Sequence, residues 1–206
     1  GTFIKQHLDL TGYAYNTVGM WYSYATTVGD YDEDGNLDIL VSGYQTYNYP
    51  TARYTEIYML KGNGDGTFGP NSIRVEQYAW PYSGGSRYAY FLGAGDFNSD
   101  GDLDFVWADY YEGNLIRKYG NGAGGFGSSV DTGINLAQYT YDYPRGDAFD
   151  FNGDGDQDIL YTKDYWFGET RTRHGNGAGG FGSENDLDQS TTSYCYALAQ
   201  PHIKSG

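Results

Sequence analysis

The chain has 206 residues, of which 32 are glycine and 24 are tyrosine, and it carries a formal net charge of −15. This charge excludes nucleic acids and anionic membrane surfaces as partners, because both bind through clustered lysine and arginine. Abundant glycine and the lack of helical periodicity predict an all-β chain with many turns. No run approaches the length of about 18 apolar residues that a membrane span needs, so we expect no membrane insertion.

Three acidic segments recur along the chain, and an apolar run follows each of them directly. The segments begin at Asp30, Asp96 and Asp150 and share the pattern Asp-x-Asp/Asn-x-Asp-Gly-x-x-Asp. Oxygen side chains at positions 1, 3, 5 and 9 of a short loop, with glycine at position 6 for a sharp turn, suit a hard cation such as Ca²⁺. We therefore predict three calcium loops, with Ca²⁺ as the cofactor at each.

A glycine-rich turn follows each acidic segment and recurs together with it along the chain. The turns read Gly-Asn-Gly-x-Gly-x-Phe and occupy residues 62–68, 120–126 and 175–181. Alternating aromatic residues, such as Tyr78 and Trp80, precede the acidic segments and indicate half-buried strands that begin each unit. Each unit therefore predicts about four short antiparallel strands, as in a propeller blade.

The repeats predict one array across residues 1–206: a β-propeller-like arrangement of about three four-stranded antiparallel blades plus a partial fourth. The expected boundaries are 3–68 for the first repeat, 69–126 for the second, 127–181 for the third, and 182–206 for a lone strand of the fourth. Three blades do not close an ordinary propeller ring. The chain is therefore expected to be part of a longer protein or to self-associate through its terminal strand.

The combination of the acidic loop, the apolar strand and the glycine turn resembles the FG-GAP or VCBS repeat, the blade unit of integrin-α-type propellers. The resemblance covers residues 3–181 and implies a β-propeller with Ca²⁺ held in loops between the strands of a blade. It implies these side-chain ligands: Asp30, Asp32, Asp34 and Asp38; Asp96, Asn98, Asp100 and Asp104; Asp150, Asn152, Asp154 and Asp158. It also implies backbone carbonyl ligands from Asn36, Asp102 and Asp156.

The first loop has aspartate at all four side-chain ligand positions and should bind Ca²⁺ most tightly, whereas the other two loops have asparagine at one of these positions. The loops have two alternative interpretations. An EF-hand needs a bidentate glutamate at position 12, but Val41, Trp107 and Tyr161 stand there. Acidic β-turns without metal are the second alternative, although carboxylates packed so closely repel one another without a cation.

No catalytic constellation stands out in the sequence, and we expect that the protein is not an enzyme. Its three histidines, His7, His174 and His202, are far apart, and the single cysteine, Cys195, excludes an internal disulfide and fits a half-buried strand position. The tripeptide from Arg145 to Asp147 resembles the short adhesion motif that integrins read, but such a tripeptide also occurs by chance.

Aromatic side chains beside polar ones are the ordinary means of holding a sugar face, and grooves between blades are natural pockets. The candidate ligand-binding aromatics are Trp21, Trp80, Trp107, Tyr111 and Trp166. The alternative is that these rings pack one blade against the next.

The sequence therefore favours a non-catalytic, calcium-binding recognition or adhesion module whose partner is a glycan or a cell-surface protein. Calcium loops of millimolar affinity function where Ca²⁺ is abundant, which places the protein outside the cell or at its surface. A structural subunit that assembles head to tail through its incomplete terminal blade is one alternative function. An accessory region of a polysaccharide-degrading enzyme is another.

Overall fold

The computed structural model describes residues 22–47, 52–79, 88–109, 111–136, 145–163 and 169–187. None of these ranges contains a helix that could span a membrane. Within them the chain forms twelve strands: β1 Tyr22–Gly29, β2 Asp38–Tyr47, β3 Ala52–Gly62, β4 Phe68–Ala79, β5 Ala89–Gly95, β6 Asp104–Asp109, β7 Asn114–Lys118, β8 Val130–Asn135, β9 Gly146–Phe149, β10 Asp158–Lys163, β11 Glu169–Arg173 and β12 Asn185–Asp186.

The twelve strands form three antiparallel sheets, each built from four strands that follow one another in the chain. The first sheet contains β1–β4, the second β5–β8 and the third β9–β12. Each sheet is a meander in which neighbouring strands are joined by a hairpin. The predicted all-β architecture of about three four-stranded antiparallel units is confirmed.

The apolar run after each acidic segment forms the second strand of its sheet, where it has a neighbour on both sides. In β6 the side chains alternate between two cores: Phe105 and Trp107 face the first sheet, and Val106 and Ala108 face the third. Each buried side chain of this size contributes about 1.5–3 kcal/mol to folding. The run is apolar at every position because both faces of the strand are covered.

Successive sheets lie side by side, with β1 next to β5 and β5 next to β9. The core between the first two sheets consists of Tyr31, Leu40, Ile57, Met59, Ala89, Phe105, Trp107 and Ile116. The core between the second and third sheets consists of Phe97, Val106, Ala108, Leu115, Leu136, Ala148, Ile159 and Tyr161. This arrangement of first strands is that of consecutive propeller blades.

The sheets are offset from the sequence repeats by one strand. In each sheet the fourth strand begins at or after the phenylalanine that closes the glycine turn, so β4 extends from Phe68 to Ala79. Tyr78 therefore lies in the last strand of the first sheet, and the expectation that it begins the second unit is wrong. Asn185 belongs to β12 and completes the third sheet. Residues 188–206 of the predicted fourth unit lie outside the described residues.

Candidate metal centres

Each acidic loop joins the first two strands of a sheet, and its first aspartate folds the loop around its own carboxylate. Asp30 accepts hydrogen bonds from the backbone N–H groups of Asp34, at 3.1 Å, and Gly35, at 2.9 Å. Asp96 and Asp150 accept the equivalent pair. The glycine at position 6 has φ between +87° and +97° in the three loops, a left-handed conformation that favours glycine.

The aspartate at position 9 links the acidic loop to the glycine turn. Asp38 is fully buried, and its two oxygens accept hydrogen bonds from Tyr31 N, at 3.1 Å, and Gly62 N, at 2.8 Å. Asp104 and Asp158 make the same two bonds in their sheets. The sequence predicted these residues only as metal ligands and did not predict the hydrogen bond to the glycine turn. The joint recurrence of the acidic loop and the glycine turn was the signal that pointed to this bond.

The first loop gathers carboxylates at the spacing that a cation site requires. Oxygens of Asp30, Asp32 and Asp38 lie within 4.8 Å of one another. One oxygen of Asp32, Oδ1, is buried and has no hydrogen-bond partner in the described part of the chain. A buried carboxylate oxygen without a donor is costly, and a hard cation would satisfy it. The residues of this loop therefore fit Ca²⁺.

The other two loops keep this arrangement but have an amide at position 3. Asn98 donates through Nδ2 to Asp100 at 2.8 Å, while its Oδ1 accepts from the Asp100 backbone N–H at 3.2 Å. Asn152 bonds to Asp154 in the same way. Each amide still presents an oxygen inside its loop, but position 3 then carries no negative charge.

The residue that precedes each glycine turn differs among the three sheets. Lys61 places its ammonium on Asp32 and, at 3.1 Å, on Asp34 of the first loop. The equivalent Tyr119 instead approaches the third sheet, where its hydroxyl donates to a backbone carbonyl at 3.5 Å. In the third sheet, His174 Nδ1 lies 3.0 Å from the amide of Asn152. Only the first loop therefore holds a lysine from its own sheet within hydrogen-bond reach of the predicted ligands, among the residues described.

Burial and local partners shift the ionisation of these groups in the metal-free protein. Burial raises the pKa of Asp38, and it raises the pKa of Asp104 to about 6. The backbone N–H of Asn36 and then the Lys61 ammonium lower the pKa of Asp34. Contact with Asp32 and Asp34 raises the pKa of Lys61, so this lysine is charged throughout the physiological range.

The side chain at position 7 of each acidic loop lies against the second glycine of the glycine turn and leaves no room for a Cβ atom there. A Cβ atom at Gly64 would collide with the amide of Asn36, and one at Gly122 would lie 2.7 Å from Asp102 Oδ1. The third sheet repeats this contact with Asp156. The backbone carbonyls of these three position-7 residues remain predicted ligands.

The aromatic candidates separate into three groups. Trp107 is fully buried, with its ring stacked on Phe105 at a centroid distance of 5.2 Å, so its proposed role in ligand binding is wrong. Tyr111 is 43% exposed and remains a candidate. Trp21, Trp80 and Trp166 lie outside the described residues.

A groove between the first two sheets was not found from sequence. Its volume is about 570 Å³, and it is lined by Glu76, Tyr78, Lys118, Phe126, Gly127, Ser128 and Ser129. Lys118 donates to Glu76 Oε2 and to the Val75 carbonyl, both at 2.8 Å, and Ser129 also contacts Glu76. Although burial opposes it, the Lys118 ammonium lowers the pKa of Glu76. Glu76 and Lys118 belong to no motif, so no sequence signal pointed to this pair.

The integrin-type tripeptide lies at the start of a strand. Arg145 is exposed, but Gly146 and Asp147 belong to β9 and pair with β10. Asp147 accepts from the Ala148 N–H at 2.9 Å, and burial raises the pKa of its carboxyl group. Asp147 thus takes part in the sheet, which is unlike the aspartate of a protruding adhesion loop.

Comparisons with known proteins match part of the chain to a repeat family. Residues 96–161, from the first aspartate of the second loop to β10, match the FG-GAP-like repeat family. No curated protein matches the chain. A solved structure of an Agrocybe aegerita lectin, described as recognising non-reducing terminal N-acetylglucosamine, is 16% identical, with 84% of this chain and 67% of that chain covered. Its TM-score is 0.38, which is too low to support a functional argument.

Proposed function

We propose that this chain, which matches the FG-GAP-like repeat family over residues 96–161, is a calcium-binding recognition module that acts outside the cytosol. The observation that carries the calcium proposal is the first loop. It gathers oxygens of Asp30, Asp32 and Asp38 within 4.8 Å and leaves a buried oxygen of Asp32 without a hydrogen bond. We propose binding and not catalysis as the activity.

Calcium would stabilise each sheet at the connection between its first two strands. The ion would be held by the aspartates and asparagines at loop positions 1, 3, 5 and 9 and would offset their mutual repulsion. The position-9 aspartate also bonds to the glycine turn, so the ion would strengthen the link between two hairpins. Such an ion serves the scaffold, which leaves recognition to the surfaces between sheets.

Calorimetric titration of the chelator-treated protein tests this proposal. We expect three Ca²⁺ ions to bind per chain, and we expect a higher melting temperature in Ca²⁺ than in EDTA, because a ligand of the folded state stabilises it. Asp96→Asn should remove one site and leave the other two. An unchanged melting curve in EDTA, together with no heat of binding, would refute the calcium proposal.

A glycan is the partner class that we propose for the groove between the first two sheets. The groove combines the Tyr78 ring with the Glu76 and Lys118 pair and the Ser129 hydroxyl group. Aromatic faces beside convergent polar groups are the usual lining of a small-ligand site. The volume of about 570 Å³ is in the range of such sites.

A glycan array with two matched variants tests this role. Ser128 lies exposed at the rim of the groove, so Ser128→Trp should fill it without disturbing the core and should abolish glycan binding. Ser183 holds the equivalent exposed position of the third sheet, so Ser183→Trp should leave binding unchanged. Equal loss in both variants, or no glycan bound by the unmodified protein, would count against the groove as a glycan site.

A further inference from the structure

The two interfaces between sheets are joined by the same hydrogen bond. Gly124, in the glycine turn of the second sheet, donates its N–H to the Tyr31 carbonyl of the first sheet at 3.0 Å. Gly179, in the turn of the third sheet, donates to the Phe97 carbonyl of the second sheet at 2.7 Å. We call the docking side of a sheet, formed by its glycine turn and loop position 8, the turn face. We call the receiving side, formed by loop position 2 and the residue before the loop, the loop face.

An aromatic pair accompanies this bond in both interfaces. Phe126 closes the second turn and packs on Tyr31 with a centroid distance of 5.6 Å. Phe181 closes the third turn and packs on Phe97, also at 5.6 Å. Both receiving rings are almost completely buried, at 1% exposure for Tyr31 and 3% for Phe97. The turn face thus covers the aromatic residue of the loop face.

The residue before the first aspartate is glycine in both sheets on which a turn face docks. A Cβ atom at Gly29 would lie 2.8 Å from Cδ1 of Leu103, the position-8 residue of the second loop. A Cβ atom at Gly95 would lie 2.7 Å from Oε1 of Gln157, the position-8 residue of the third loop. The absence of a side chain at these two glycines therefore permits close packing of the next sheet.

The turn face of the first sheet is open in the part of the chain that the structure describes. Leu37, the equivalent of Leu103, is 65% exposed, and Val28 beside it is 45% exposed. Gly66 is exposed, with no atom of another residue in contact range of a Cβ placed on it, whereas the equivalent Gly124 is buried. A cavity of about 470 Å³ lies on this face, lined by Val28, Gly35, Asn36, Leu37, Ile39, Gly62, Gly64, Gly66, Thr67 and Phe68.

The loop face of the third sheet differs at the residue before the first loop aspartate, which is phenylalanine and not glycine. Phe149 pairs with Asp158 in the register that Gly29 and Gly95 have with Asp38 and Asp104. Its Cβ therefore projects where the two glycines leave room for an incoming side chain. The Phe149 ring packs against Phe151 with a centroid distance of 5.2 Å.

We propose that the turn face of the first sheet is a docking surface for another FG-GAP-like unit whose first loop aspartate follows a glycine, and that Phe149 prevents copies of this chain from docking on one another head to tail. The surface presents the same kinds of group that make the two internal interfaces: a position-8 side chain, here Leu37, a turn N–H at Gly66 that has no hydrogen-bond partner among the described residues, and a phenylalanine. This inference goes beyond the proposed calcium and glycan roles and depends only on the packing of the sheets.

Sedimentation velocity in Ca²⁺ with complementary variants tests the proposal. The unmodified chain has an open turn face and a blocked loop face, so we expect a monomer. The double variant Phe149→Gly with Leu37→Asp has an open loop face and a charged turn face, so we also expect a monomer. A mixture of the two should form a 1:1 complex, because each chain supplies the face that the other lacks.

The Leu37→Asp single variant is the matched control. Leu37 is exposed, so this change should leave the melting temperature within a few degrees while it abolishes complex formation with the double variant. Phe149→Ala provides a second variant if the glycine variant fails to fold, and it should give a weaker complex of the same stoichiometry.

Three outcomes would overturn the proposal. The first is the absence of a complex between folded proteins at several hundred micromolar. The second is an equally strong complex with Leu37→Asp, which would place docking elsewhere. The third is self-association of the unmodified chain that Leu37→Asp removes, because Phe149 would then not exclude a second copy.

Discussion

The Lys61 side chain contacts the first loop, and no other loop has a lysine of its own sheet in this place among the described residues. The first loop has aspartate at all four predicted side-chain ligand positions, which predicts the tightest site, but Lys61 contacts two of these residues, Asp32 and Asp34. A lysine ammonium supplies part of the positive charge that Ca²⁺ would bring, so the two cations compete for the same carboxylates. We therefore expect the order of Ca²⁺ affinities among the loops to depend on Lys61 as well as on the residue types at positions 1, 3, 5 and 9.

Replacement of Lys61 by methionine should strengthen binding at the first loop. The Lys61 side chain is 45% exposed, so solvent weakens its ion pairs, and we expect a gain in Ca²⁺ affinity on the order of tenfold. Isothermal titration calorimetry of Lys61→Met measures this gain, and Lys61→Arg, which keeps the charge, should behave like the unmodified protein.

A variant that combines Lys61→Met with Asp30→Asn assigns the effect to the first loop. This variant lacks the position-1 carboxylate of that loop, so the gain in affinity should disappear. Persistence of the gain would contradict competition at the first loop and would locate the effect elsewhere in the chain.

At the level of elements, the sequence predicted what depends on local pattern and missed what depends on neighbouring sheets. The acidic loops and glycine turns were placed correctly because each is a short segment with its own conformational requirement. Trp107 was misjudged because position 12 of its loop lies on a strand that is covered on both faces. The strand offset at Tyr78 was missed because period-two aromatics identify a strand without stating which sheet it joins.

The groove and the docking faces could not be predicted from the sequence, because both form between neighbouring sheets. Glu76 and Lys118 lie on strands of different sheets and meet only after the sheets pack. From the sequence, Phe149 is an ordinary strand residue. Its pairing with Asp158 shows that it occupies the position that glycine occupies in the other two sheets. Contacts between repeats, which carry the candidate recognition surfaces, therefore required the structure.

At the level of the whole molecule, we expect the buried position-9 residue Asp104 to make the stability of the metal-free protein depend on pH. Asp104 connects both hairpins of the second sheet through its bonds to Phe97 N and Gly120 N. Its pKa of about 6 in the folded, metal-free protein exceeds the ordinary value of 3.8. The folded state therefore binds a proton more tightly than the unfolded state does, and ionisation of Asp104 opposes folding above about pH 6.

We expect the metal-free protein to gain stability from Asp104 as the pH falls from about 7 to about 4, by at most about 3 kcal/mol. Thermal melts in EDTA measure the change in the free energy of unfolding with pH in the unmodified protein and in Asp104→Asn. The difference between the two changes is the contribution of Asp104, because the amide of the variant does not titrate. In saturating Ca²⁺ the sign should reverse, since protons and Ca²⁺ compete for the same carboxylates and acidification then releases the ion. A pH dependence in EDTA that is identical in the two proteins would show that Asp104 ionises without cost to the fold.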